Sequence, residues 1–378
     1  MKISRLIVVD GNAPWVRSLF LAMPPEIHVR FLRVGQPLVF KQLSDKPWWT
    51  ARRWQPLGPN AEQRWVIIPG WNKAPAISTW LTRRAATAAA RGSNAAVIFT
   101  LPQYAGVAET TQLRPRVYYA HDPFEYYGWD REWTRQLESR MLQAVELTFS
   151  ISRLLRDELA LRALRGVHYS PNAVSSQFLT ELRKSDSEIP PDLANIARPI
   201  VGCTGQINET YDWPMLGELA ARMPDVSFIF IGPIVSDDPA HRAVIDGVLK
   251  GRANVHWLGP KPHADLPVYL RSFDVCLNPL SAGPHADRRS PLRLYDFLAT
   301  GKPVISTAIA EAESHENQVW IGRDVFELES LIRSAVTGQR QVDANARRAY
   351  NVRNTWDSRA LKLLAMIERC ISTTAGES

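Results

Sequence analysis

The chain has 378 residues, 45% hydrophobic and 22% charged, a globular composition with enough apolar residues for two cores of ordinary domain size. Its three cysteines, Cys203, Cys276 and Cys370, have no metal-ligand or redox spacing, which predicts buried free thiols and a reducing compartment. The apolar run in MKISRLIVVDG is too short to span a bilayer and precedes no small-residue cleavage site, so a cytoplasmic protein is expected.

The formal net charge of +7 is unevenly divided: residues 1–178 hold 23 Lys+Arg and 13 Asp+Glu, the remainder 22 and 25. Nine of the 13 tryptophans also lie in the first part, with Trp48, Trp49 and Trp54 beside Lys46, Arg52 and Arg53. Indole favours the headgroup zone, and each cation adds about 1 kcal/mol near anionic lipid, so Trp48, Trp49, Arg52 and Arg53 are the predicted contact with a membrane surface. The alternative is that some of these tryptophans are core. No nucleic-acid recognition motif accompanies the basic residues, and nucleic acid is not an expected partner.

Short apolar, β-branched runs alternate with helical patterns, the sequence form of βαβ units and parallel sheets. Strands are predicted at 4–10, 28–34, 64–69, 95–101, 116–122, 147–152 and 167–171. Residues 179–198, polar and with a Pro pair, read as a linker. The alternation restarts with strands at 199–205, 226–233, 254–259, 274–280, 303–307 and 318–322. The closing segment 356–371 is an amphipathic helix with Leu361, Leu364 and Ile367 or Ile371 at helical spacing. This predicts an α/β chain of two doubly wound, Rossmann-like domains facing a central cleft: 1–178, then the linker, then 199–355, with the last helix a candidate to pack back on the first domain. Ligands of such sheets bind beyond the carboxyl ends of the strands.

The segment SPLRLYDFLATGKPVIST (290–307) predicts a helix over 291–300, with Ser290 as cap, Pro291 in the first turn and Gly301 in the left-handed turn after it. Arg293 lies in that first turn, where the helix dipole favours negative charge. With the free N–H groups it would grip a phosphate or diphosphate, and Asp296 on the same face could accept from ribose hydroxyls. The alternative is a surface pair between the two. Gly202 and Gly205, in GCTGQINET, would let a ligand or the opposing domain approach the backbone, unless they mark a plain tight turn. The segment is neither a dinucleotide fingerprint nor a phosphate loop. Asp237-Asp238 before Pro239 reads as a helix-start cap.

Three ordered blocks, GCTGQINETYDWPMLGELAARMPDVSFIFIGP, NVHWLGPKPHADLPVYLRSFDVCLNPL and SPLRLYDFLATGKPVIST, resemble the nucleotide-binding half of GT-B glycosyltransferases, closest to bacterial enzymes of surface-polysaccharide synthesis of the teichuronic-acid and exopolysaccharide kind. The resemblance implies a nucleotide diphosphate sugar as donor and co-substrate, held by Gly205, Gln206, Ser290, Arg293 and Asp296. The basic, tryptophan-rich first part argues for a membrane-held acceptor, a growing, lipid-linked glycan, and for work at the inner face of the cell membrane. Two departures stand out. Many retaining members carry glutamates eight positions apart, whereas eight before Asp296 stands Arg288, and Asp296 itself replaces the commoner Glu.

In the first half the resemblance rests on VYYAHDPFEYY (117–127) and SPNAV (170–174). Inverting transfer needs a base facing the acceptor hydroxyl and cationic help for the leaving diphosphate. Asp122, whose placement resembles the strand-end catalytic Asp of xanthan-type glucuronosyltransferases, is the candidate base, with His121 beside it. A turn carboxylate before proline and a packed histidine are the alternatives. Gly11 and Asn12, in DGNAPW, could shape an acceptor loop or a structural turn. No D-x-D motif or paired histidine spacing occurs, so no metal and no cofactor beyond the donor is expected. Two other functions fit the same chain: a nucleotide-sugar epimerase or hydrolase, and a catalytically silent scaffold of a polysaccharide assembly complex.

Overall fold

The computed structural model describes residues 2–36, 53–184, 189–315 and 317–376. Trp48, Trp49 and Arg52 lie outside them; Arg53 is exposed. The chain forms two compact units, Met1–Pro171 with Trp356–Ser378, and Asn172–Thr355.

In the first unit the strands are β1 (Arg5–Val9), β2 (His28–Gly35), β3 (Gln55–Gly58), β4 (Ala61–Ile67), β5 (Ala95–Phe99), β6 (Arg116–Ala120), β7 (Leu147–Ser150) and β8 (Val167–Tyr169). They form one sheet in the order β3-β4-β2-β1-β5-β6-β7-β8. Every pairing is parallel except β3 with β4. All seven predicted strands are present. β3 was not foreseen, because QPLG has no apolar run: it is an exposed edge strand, the position where Pro is tolerated. β1 is flanked by β2 and β5 with Val9 opposite both Leu32 and Phe99, so the chain leaves the sheet in opposite directions on its two sides. Asp10 and Thr100 emerge at this switch point, where a crevice forms beyond the strand ends.

The closing helix Trp356–Gly376 belongs to this unit and meets the helix Pro14–Leu21. Its buried face is Trp356, Ala360, Leu363, Leu364 and Ile367. Leu361, predicted on that face, is exposed, because the stripe runs through positions 360, 363, 364 and 367.

The second unit holds β9 (Ile200–Thr204), β10 (Ser227–Ile231), β11 (Val255–Trp257), β12 (Val275–Asn278), β13 (Val304–Thr307) and β14 (Trp320–Gly322), the six strands predicted. All run parallel, in the order β11-β10-β9-β12-β13-β14, with the switch point between β9 and β12. Asp238 accepts from the Ala240 N–H at 2.9 Å and starts the next helix as predicted. The unit begins before the predicted linker, whose ends are structural. Phe178 and Leu179, on the helix Ser176–Leu182, are buried in its core together with Leu193. The Pro pair and surrounding charge hid these apolar anchors.

Gly202 also differs from its expected role. The space is taken from within the unit: a Cβ there would lie 2.1 Å from the Phe273 ring, so the missing side chain admits Phe273 to the core. Gly202→Ala should therefore overpack β9 and destabilise the unit by about 1–3 kcal/mol, read as a lower denaturant midpoint with unchanged slope. An unchanged midpoint would contradict this packing.

Candidate functional site

At the switch point of the second unit β9 ends in Thr204 and turns at Gly205, whose φ of 115° suits glycine. Gly205 N–H donates to Ile231 O at 2.9 Å, tying the turn to the end of β10. A Cβ on Gly205 would stand 3.1 Å from an Arg293 terminal nitrogen, so this glycine makes room for the guanidinium. Gln206, the next residue, is exposed.

Arg293 sits in the first turn of the helix Leu292–Ala299. Its guanidinium lies over the Tyr211 ring, 4.7 Å from the centroid, and Nη1 points to Cys203 Sγ at 3.7 Å. Neither neighbour is an anion. Burial raises the Cys203 thiol against the pull of Arg293, and raises the Tyr211 phenol well above its ordinary value, so both stay neutral near pH 7. No carboxylate pairs with Arg293 among the described residues. This partly buried cation stands in the first turn of a helix that begins beyond the strand ends, where such sheets bind anionic ligands.

The surface pair with Asp296 does not form. Asp296 is 5% exposed, and its Oδ2 meets His263 Nε2 at 3.2 Å. Burial raises Asp296 with the His263 hydrogen bond working against it, and that same bond raises His263. The His263 ring stacks on Phe178 at 5.0 Å and stays half open to solvent, so a ribose would meet this imidazole before the carboxylate it orients.

Ser290 departs from its prediction as well. Pro291, not Ser290, occupies the cap position with φ −63° and ψ 117°, and no side chain caps the helix. The helix starts one residue later, which turns Ser290 inward. Its hydroxyl accepts from the Asn172 N–H at 3.3 Å and donates to Glu311 Oε1 at 3.2 Å, with Tyr295 Oη at 3.4 Å. Ser290 thus braces the helix start from behind. Gly301 takes the expected left-handed turn, φ 76°.

In the first unit Asp122 follows β6 by two residues and is 2% exposed, with the Tyr127 hydroxyl donating to its Oδ2. His121 is packed: its Nδ1 accepts from Trp15 Nε1 at 3.3 Å, and Phe124 meets the ring edge-on at 5.1 Å. Burial pushes its pKa down to about 4. Gly11 is closed in by Phe31, 2.6 Å from where a Cβ would stand, whereas Asn12 is exposed. Asn12 accepts from Arg33 Nε at 2.8 Å and donates to Asp10 Oδ1. Trp54 is held between Arg30 and Arg64, each 4.8 Å from its ring, so this tryptophan is absorbed by the protein's own cations.

Sequence reasoning missed Tyr211, Cys203 and His263 as partners of the site. Tyr211 and Cys203 flank the Gly205 turn that drew attention, and His263 opens the helix start in PKPHADLP, but only the fold brings them to Arg293 and Asp296.

The description Glycosyl transferases group 1 matches residues 198–336. Over 181 residues the chain is 28% identical to a Bacillus subtilis (strain 168) protein named for TuaH, a teichuronic acid biosynthesis glycosyltransferase. The match covers 47% of this chain and 44% of that one, so the chain spans less than half the length of this curated relative. Among solved structures it resembles Anabaena HepE in complex with UDP and glucose, TM-score 0.66 at 14% identity over 100% of both chains. It also resembles alpha,alpha-trehalose 6-phosphate synthase from Burkholderia multivorans, TM-score 0.72 at 11% identity over 99% of this chain and 98% of that one. These likenesses establish the GT-B fold.

The titrations are testable by ring-carbon NMR. His121 should stay neutral until about pH 4, so its contribution to stability is full above the ordinary histidine value and fades as pH falls toward 4. His263 should hold its proton above the ordinary value and lose that elevation in Asp296→Asn. Two histidines titrating alike would contradict both environments.

Proposed function

We propose, because residues 198–336 match the glycosyl transferases group 1 description and the chain has the GT-B fold, that it transfers a sugar from a nucleotide diphosphate sugar to a growing, lipid-linked glycan in polysaccharide synthesis. The observation that carries this reading is Arg293, a cation facing a neutral thiol and phenol at the switch point of the second sheet. UDP and glucose in the HepE structure and the teichuronic-acid name of the Bacillus relative support donor class and pathway.

The transfer is inverting and needs no metal. Asp122 takes the proton from the acceptor hydroxyl as its oxygen bonds to the anomeric carbon, and the breaking bond leaves its electron pair on the diphosphate. Arg293 and the free N–H groups of its helix stabilise that developing charge, the part a metal would otherwise play. Arg288, eight residues before Asp296, supports inversion, since the glutamate pair of many retaining relatives is missing.

Purified protein should release UDP or GDP from one nucleotide sugar of a panel when membrane extract is added. Release without acceptor would point instead to a hydrolase, and no release with any donor to a silent scaffold. Asp122→Asn should lower turnover by about 10²–10⁴-fold while donor affinity changes little, and the product's anomeric configuration by NMR should be opposite to the donor's. Retention, or near-normal turnover in the variant, would remove Asp122 as base.

The protein works at the inner face of the cell membrane as a peripheral protein. Among the described residues no helix is long and apolar enough to cross a membrane. The helix Pro75–Ala90, PAISTWLTRRAATAAA, has no carboxylate and exposes Ile77 and Trp80, with Arg84 stacked on Trp80 at 5.4 Å and exposed Lys73 and Arg91 beyond its ends. Apolar anchors among cations suit anionic lipid. Anionic vesicles should sediment the protein at low salt and release it as salt screens the charges, the Debye length falling to roughly 3 Å at 1 M. Replacing Ile77, Trp80 and Arg84 by serine should reduce sedimentation. Equal binding to neutral vesicles would contradict this attachment.

A further inference from the structure

The first sheet has its own switch point, between β1 and β5, and the residues around it are chemically unusual. Asp10, directly after β1, has φ 62°, a left-handed conformation uncommon for a residue with a side chain. The turn is held by Asn12 N–H on Asp10 O at 2.8 Å and by Thr100 Oγ1 on Val9 O and Asp10 O. The buried Tyr104 hydroxyl donates to Asp10 Oδ2 at 2.7 Å.

Two guanidinium groups gather beside this turn. Arg17 donates from Nε to Gly11 O at 3.0 Å and from Nη2 to Gln63 Oε1 at 3.0 Å. Arg33 donates from Nε to Asn12 Oδ1 and lies over the Trp65 ring at 4.2 Å. Both are partly buried, and neither forms an ion pair with a carboxylate among the described residues. Arg33's terminal nitrogens donate to no described residue. Burial and the charge of Arg17 lower Arg33, which only Asp10 offsets, and burial lifts Asp10 itself to about 6. Two cations forced together, with neutral amide partners and one weakened carboxylate, cost energy that an external anion would recover.

We propose that Arg17 and Arg33 bind a phosphate or diphosphate ester of the acceptor, and that Asp10 accepts from a hydroxyl of the sugar attached to it. The site therefore takes a phosphorylated sugar, free or lipid-borne. It rests on the glycosyl-transfer reading and specifies its acceptor.

The test uses the full chain and inorganic pyrophosphate, titrated by calorimetry. Arg293→Ala removes the donor-side anion site and should leave one class of pyrophosphate binding. Adding Arg17→Gln and Arg33→Gln should weaken that class by about 10- to 100-fold. Arg33→Lys in the same Arg293→Ala background should keep part of it, and this milder variant carries the test if the double substitution fails to fold, which thermal unfolding reports. Glucose 1-phosphate and phosphatidylcholine vesicles carrying a monophosphorylated isoprenoid alcohol then compete for the site, and the stronger competitor identifies a free or a lipid-borne ester. Pyrophosphate binding that vanishes with Arg293 alone, or that ignores the Arg17 and Arg33 substitutions, overturns the proposal. UDP binding by the wild-type chain separates the two readings: its absence beside Arg17- and Arg33-dependent pyrophosphate binding would fault the donor site alone.

Discussion

A guanidinium drawn partly out of water needs a negative charge or several strong acceptors, and Arg293 has neither among the described residues. Its neighbours are a thiol and a phenol that burial keeps neutral. Much around it is arranged to tolerate this cation. Gly205 gives up a side chain to make space, Ser290 and Asn172 brace the helix start from behind, and Asp296 is held by His263 and so does not neutralise it. At the other end of the helix the buried Arg347 donates to the carbonyls of Leu298 and Lys302, and Asn351 also reaches Leu298 O. Positive charge at a helix C-terminus is favourable, so the helix is anchored at the end away from the proposed ligand.

Each unit solves a similar problem at the reversal point of its own sheet. In the second, one arginine waits over a glycine turn. In the first, two arginines flank the strained turn of Asp10, whose own carboxylate has a raised pKa. Parallel strands of this kind end in carbonyls and loops at one edge, and the diverging connections leave room there. The chemistry differs because the loop residues differ: cation alone where a diphosphate is expected, cations with a hydroxyl acceptor where a phosphorylated sugar is expected.

Strands such as β5, β9 and β10 were legible because they are buried on both faces and read as unbroken apolar runs. β3 was not, since an exposed edge strand carries no such signal, and Pro56 argues against a strand in the sequence alone. Arg293 was legible as a cation in an unfavourable helix position. Its partners were not, because Cys203 lies 90 residues away and only the β9–β12 crossing brings the two together. Ser290 misled for a local reason: proline fits either the cap or the first turn, and a shift of one residue reverses the direction of the serine. Leu193 was hidden by its polar surroundings, as periodicity cannot show a lone apolar residue that plugs a core. That Arg17 and Arg33 form no ion pair among the described residues is likewise invisible in sequence, because only the fold shows which groups lie beside them.

Donor binding in this protein depends first on Arg293 holding the diphosphate. Calorimetry of UDP and uridine with wild type and Arg293→Ala tests this directly. Losing a charge-assisted hydrogen bond at a helix N-terminus should cost UDP about 1.5–3 kcal/mol of binding, while uridine, which has no phosphate, should bind both forms nearly alike. Equal losses for UDP and uridine, or UDP binding that survives the substitution intact, would contradict it.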